Sequence, residues 1–183
     1  MHRAAQLALA LVVPTAFAGT LVGTVVSAPA AHADDRTCRG TIGAVQVDGT
    51  VVVPQGATCT LVGTRVDGDV LVKSGASLYA RGARIGGNVQ AENHRTVVVR
   101  PRTVGDRVVK SRVGGSIQLV QGGGGKLLSN VVEGDVQLFS NDRRFEVRRN
   151  VVGGNLQCKS NDPRPVGGAN RVEGDKEDQC RGL

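Results

Sequence analysis

Aromatic side chains make up 2% of this chain and tryptophan is absent, so no core can be built on large rings. Beyond residue 33 there is a single histidine, His94, and no C-x-x-C pair, which excludes the usual ligand sets for zinc. No G-x-S-x-G elbow, no phosphate-cradling G-x-x-x-x-G-K-[ST] and no calcium-binding nonapeptide occurs. The run Gly122 to Gly125 before Lys126 has the wrong spacing for a phosphate loop and reads as a flexible turn. A Ser-His-Asp set would have to use His94, and no serine has a signature around it. No catalytic residue, cofactor or metal is therefore expected. No apolar run after residue 33 is long enough to span a bilayer.

The first 33 residues have the order of a secretory leader. Arg3 gives a minimal positive start, Ala4 to Val26 is apolar, and Ala31-His32-Ala33 is a small-x-small cleavage site. Pro14, Gly19 and Gly23 interrupt the apolar stretch, which argues against a retained anchor. The expected product is a secreted domain, 34–183. Removing Arg3 from 23 bases against 16 acids leaves a net charge of 22 − 16 = +6. Such a surface suits anionic wall polymers, acidic polysaccharides, extracellular DNA or lipid headgroups, or simply keeps the protein soluble.

What is abundant is a repeated phrase, Val-x-Gly-Asp-Val-x-Leu and its variants. Val132-Glu133-Gly134-Asp135-Val136 runs on to Leu138 as a full copy and Val66-Asp67-Gly68-Asp69-Val70 differs only in ending at Val72; Ile85 to Val89, Val113 to Ile117 and Val152 to Leu156 are close variants. A faint copy starts at Val47 and a degraded one at Val172. Their second glycines are spaced by 19, 19, 28, 19, 20 and 20 residues. A period near 20 with alternating apolar residues predicts an all-β parallel β-helix, or β-solenoid, of six to seven coils. Val53 to Cys59 aligns with Val72 to Leu78, and Val62 to Val66 with Arg81 to Ile85. Each coil thus carries three short strand-like pieces, which predicts a three-sided helix.

Alternation places Val70, Val89, Ile117, Val136 and Leu156 in one inward column. Two outward columns follow: Asp69, Asn88, Ser116, Asp135, Asn155, Asp175, and Gln90, Gln118, Gln137, Gln157. Short polar groups beside glycine satisfy backbone at turns, and stacked glutamines form amide ladders; a sugar- or ion-binding face is the functional alternative. A third outward column is expected at Asn130, Asn150 and Asn170. Ser140-Asn141-Asp142 and Ser160-Asn161-Asp162 read as corner turns.

The four cysteines form two pairs whose separations, 21 and 22 residues, are each close to one coil. Coils stack about 4.8 Å apart, so Cys38–Cys59 and Cys158–Cys180 are the expected disulfides, while long-range pairings would have to span roughly 30 Å. Each bridge stabilises by about 3 kcal/mol in the chain-entropy model. Both lie in terminal coils, where a solenoid must be capped.

The 28-residue step holds an insertion within 92–112 containing Pro101 and the bases Arg95, Arg100, Arg102, Arg107, Lys110 and Arg112. Arg143, Arg144, Arg148 and Arg149 follow one to two coils later. Arg100, Arg102, Arg107, Arg143, Arg144, Arg148 and Arg149 are the candidate residues for holding an anionic polymer. With only Phe145 among them, a stacking platform for single-stranded nucleic acid is not expected.

The segments Val53 to Cys59, Ile85 to Glu92, Gly154 to Asn161 and Lys176 to Cys180 resemble small secreted proteins of high-GC actinobacteria, a group that implies a compartment and a shape but no activity. The Gly-Asp-Val repeats more loosely resemble bactofilins, polymer-forming cytoskeletal β-helices. Export and disulfides at both ends depart from that pattern. The function expected from the sequence is a non-enzymatic surface or matrix module binding an anionic polymer. A self-assembling extracellular scaffold is the alternative, and an acidic-polysaccharide lyase a more distant one.

Overall fold

The computed structural model describes residues 35–183; the leader read at 1–33 lies outside them. The described chain winds as a parallel β-solenoid with three faces. Face one carries β1 (Arg36–Thr37), β4 (Val51–Val53), β7 (Val70–Val72), β10 (Val89–Glu92), β15 (Ile117–Val120), β18 (Val136–Phe139), β21 (Leu156–Lys159) and β24 (Lys176–Asp178). Face two carries β2 (Gly40–Ile42), β5 (Thr58–Val62), β8 (Ser77–Arg81), β11 (Thr96–Arg100), β16 (Gly124–Leu128), β19 (Phe145–Arg148) and β22 (Val166–Gly168). Face three carries β3 (Gln46–Val47), β6 (Arg65–Val66), β9 (Arg84–Ile85), β14 (Arg112–Val113), β17 (Val131–Val132), β20 (Val151–Val152) and β23 (Arg171–Val172). Face one has eight strands and the others seven, so the helix completes seven turns and opens an eighth. The extra strand is β1, which the repeat count misses because no glycine phrase precedes it.

The inward column stacks as expected: Val70, Val89, Ile117, Val136 and Leu156 are in register. All five are at most 1% exposed. Strands of two to five residues cannot persist alone, but each inner rung is paired on both sides. The Asp/Asn/Ser column serves the backbone. Asp69 Oδ1 accepts from Asn88 N at 2.7 Å, Asn88 Oδ1 from Ser116 N at 2.8 Å, and Asp135 Oδ1 from Asn155 N at 2.7 Å. This ladder is why the second glycine of each phrase has no side chain: a Cβ at Gly87 or Gly154 would collide with the Asp carboxylate one rung below.

Two expectations are corrected. Asn130, Asn150 and Asn170 point inward, not outward, and are 0%, 2% and 6% exposed. Asn150 Nδ2 donates to Leu127 O at 2.7 Å and to Asn170 Oδ1 at 2.9 Å, while its Oδ1 accepts from Asn130 N at 3.0 Å. Asn141 and Asn161 form a second buried ladder at another corner, joined Nδ2 to Oδ1 at 2.9 Å. The preceding residues Ser129, Ser140, Arg149 and Ser160 have φ of 53–56°, so Ser140 and Ser160 are corners as expected. The asparagine holds each corner from inside.

The second correction concerns Gly122 to Gly125, which make no flexible turn. Gly122 lies in the bend and Gly124 and Gly125 begin β16, and the run is tightly packed: a Cβ at Gly123, Gly124 or Gly125 would strike the carbonyls of Arg95, Arg144 and Val97 respectively. The vacated interior is filled by the rings of His94 and Phe145, 6.0 Å apart at 59°. Both expected disulfides are present, with Cα separations of 5.5 Å for Cys38–Cys59 and 5.2 Å for Cys158–Cys180.

Candidate functional site: a basic groove beneath an inserted hairpin

The insertion lies at the corner between faces two and three. Arg100 pairs with Arg81 and Arg112 with Arg84; two residues separate the earlier pair and eleven the later, so nine are extra. They form an antiparallel hairpin, β12 (Arg102–Val104) and β13 (Arg107–Val109), closed by the two-residue loop Gly105-Asp106 with Gly105 at φ 55°. The Arg102 side chain anchors the base: a Cβ at Gly63 would stand 2.8 Å from its Cζ, and one at Gly82 would stand 2.9 Å from its Cβ. Arg102 is therefore half-buried against the corner, and its Nε has no hydrogen-bond partner.

Between this hairpin and face three runs a groove of about 770 Å³, walled by Arg107, Val108, Val109 and Lys110 and floored by Arg65, Arg84 and Arg112. The floor arginines are in register on successive rungs, at the parallel-strand spacing of about 4.8 Å. Arg65 is tied to Asp67 at 3.3 Å, and Asp67 also accepts from Gln46 at 2.8 Å. On the next two rungs the position of Asp67 is taken by Gly86 and Gly114, so the acid is missing beside Arg84 and Arg112. Among the described residues Arg84, Arg107, Lys110 and Arg112 are exposed and make no ion pair. Four uncompensated cations thus share one concave surface.

The sequence-derived basic residues divide among several places. Arg107 is in the groove. Arg100 ends β11 at the hairpin's foot, and Arg148 and Arg149 lie at the same corner two rungs further along. Arg148 is compensated by Glu146 at 3.6 Å; Lys126, 3.0 Å from that carboxylate, holds it below the usual range chiefly by a hydrogen bond. Arg143 and Arg144 precede β19 and stand at the opposite corner, across face two from the hairpin. Arg65 and Arg84 are the contributors that the insertion alone does not reveal. Their signal is the repeat alignment, in which Arg65-Val66, Arg84-Ile85 and Arg112-Val113 occupy one register position. The hairpin too has a signal, Gly-Asp flanked by Thr103-Val104 and Arg107-Val108.

Among the described residues no group of three His, Cys, Asp or Glu side chains is placed to hold a metal ion. No helix among them is long and apolar enough to cross a membrane. Fold and groove together define a class: a disulfide-stapled, three-sided parallel β-solenoid carrying a cationic groove. Comparison with protein families, with curated proteins and with solved structures finds no match.

Proposed function

We propose that the protein works outside the cell as a non-enzymatic binding module that holds an anionic polymer in the groove beneath its hairpin. The observation that carries this reading is the stacking of Arg84 on Arg112 with no ion pair to either, joined by Arg107 and Lys110. Guanidinium groups present a planar fork that matches carboxylate, sulfate and phosphate oxygens, and a row of them favours a chain of charges over a single ion. The two disulfides suit an oxidising compartment, which the leader reading also requires.

The test is chromatography of the oxidised protein, residues 34–183, on immobilised polyuronate and on heparin with rising salt. Retention falls steeply between about 50 and 200 mM salt if phosphate-like contacts dominate. Arg84→Glu with Arg112→Glu should abolish retention, whereas Arg143→Ala with Arg144→Ala should leave it unchanged. Salt-insensitive binding, or loss confined to the second variant, would contradict the assignment.

A further inference from the structure

The glutamine ladder on face one is continuous for part of its length only. Gln118 Nε2 donates to Gln137 Oε1 at 3.0 Å, Gln137 Nε2 to Gln157 Oε1 at 2.8 Å, and Gln157 Nε2 to the Glu177 carboxylate at 3.1 Å. Gln137 thus retains one donor and one acceptor, Gln118 one donor and an oxygen that accepts nothing, and Gln157, whose Nε2 reaches both Glu177 oxygens, one acceptor. At the N-terminal end the pattern stops. Gln90 is in register with Gln118, yet no hydrogen bond joins them.

The break coincides with a groove of about 570 Å³. Gln90 and Gln118 supply amides to it, Leu71 continues their column one rung earlier, and Val120 stands in the neighbouring column beside Glu92, with Lys73 also in the lining. Neither Lys73 nor Glu92 makes an ion pair among the described residues. The free amide of Gln90 and the unused oxygen of Gln118 are adjacent rungs of one column, so a donor and an acceptor repeat along the solenoid axis at about 4.8 Å.

We infer that this groove is a second binding site, for a neutral, hydroxyl-rich carbohydrate chain lying along the glutamine column. An amide edge offers a paired donor and acceptor to neighbouring hydroxyls, and the half-buried Leu71 next to Gln90 in the column suits the apolar face of a sugar ring. The free edges of Gln118 and Gln137 extend the same chemistry rung by rung, which favours a polymer over a single sugar. This face is separate from the basic groove and the inference stands independently of it.

Affinity electrophoresis of the oxidised protein through gels containing dextran, soluble β-glucan or chito-oligosaccharide tests the site. At least one of these should retard the protein equally at low and high salt. Gln90→Ala with Gln118→Ala should weaken that retardation by about tenfold, the equivalent of one or two lost hydrogen bonds. Arg84→Glu with Arg112→Glu should leave it intact, so failure of the basic groove is distinguishable from failure here. Unchanged thermal unfolding of the glutamine variant would show that its fold is preserved. Retardation by none of the three, retardation removed by salt, or full retardation of the glutamine variant would each overturn the inference.

Discussion

Asn150 shows how much one side chain carries in a solenoid corner. Its amide serves Leu127 O, Asn170 Oδ1 and both the backbone N and Nδ2 of Asn130, four groups that have no water to fall back on. Asn150→Ala strips this partner from Leu127 O and Asn130 N, while Asn170 Oδ1 keeps the Asn150 backbone N–H, with an expected loss of about 3 kcal/mol. Gln137→Ala, on the wet outer ladder, should cost less than about 1 kcal/mol. Urea unfolding of both variants checks the contrast, read as midpoints at constant slope. His94 is a different kind of buried polar group. It is 2% exposed, and neither ring nitrogen makes a hydrogen bond of ordinary geometry, although the backbone of Ala91 and Gly123 lies close. Burial pushes its pKa below the ordinary 6.5, while those backbone groups and Asp142 oppose the shift without reversing it. The unfolded chain therefore takes up this proton at higher pH than the native protein does. The stability from the neutral imidazole is complete above pH 6.5 and declines as the pH falls from there toward the lowered native value. Denaturation midpoints of wild type and His94→Asn, followed downward from neutral pH, should show a steeper decline in wild type; parallel curves would count against this account.

At the scale of strands and coils, the sequence carries the architecture almost whole. Val70, Val89, Ile117, Val136 and Leu156 can be placed in one column because period-two alternation combined with a near-20-residue repeat leaves no other register. Disulfide pairing follows from the same spacing. The direction of Asn130, Asn150 and Asn170 does not follow, because asparagine at a corner satisfies backbone from either side. Only the buried carbonyls of Val99, Leu127 and Val147 decide it. Nor is the basic groove legible from the insertion by itself, since Arg84 and Arg112 lie 28 residues apart and meet only through strand pairing. The hairpin is an addition to a complete coil, which leads to a prediction. Replacing 101–110 by one glycine restores the 19-residue coil, with the new residue standing where Gly82 stands one rung below. That variant should unfold cooperatively and lose retention on polyanions. A variant that binds as before would place the site elsewhere.

At the scale of the whole solenoid, residues 35–183, both ends of the stack carry charge and a disulfide. Arg36 and Lys176 occupy the first and last positions of the column that is apolar from Val51 to Leu156. Stacking one copy on another would bring two like charges together inside a closed interior, a device that blunts exposed sheet ends. The disulfides add to this closure by tying the terminal coils to their neighbours. The proposed polyanion site lies instead on the side of the solenoid, beneath the hairpin. Amide chemical-shift mapping of the isotope-labelled, oxidised protein during titration with a soluble polyuronate tests that claim most directly. The account predicts perturbations concentrated at Gly63 to Arg65, Gly82 to Arg84 and Arg107 to Arg112. Shifts centred on Arg143 and Arg144 or on the terminal coils, or none at saturating polyuronate, would contradict it.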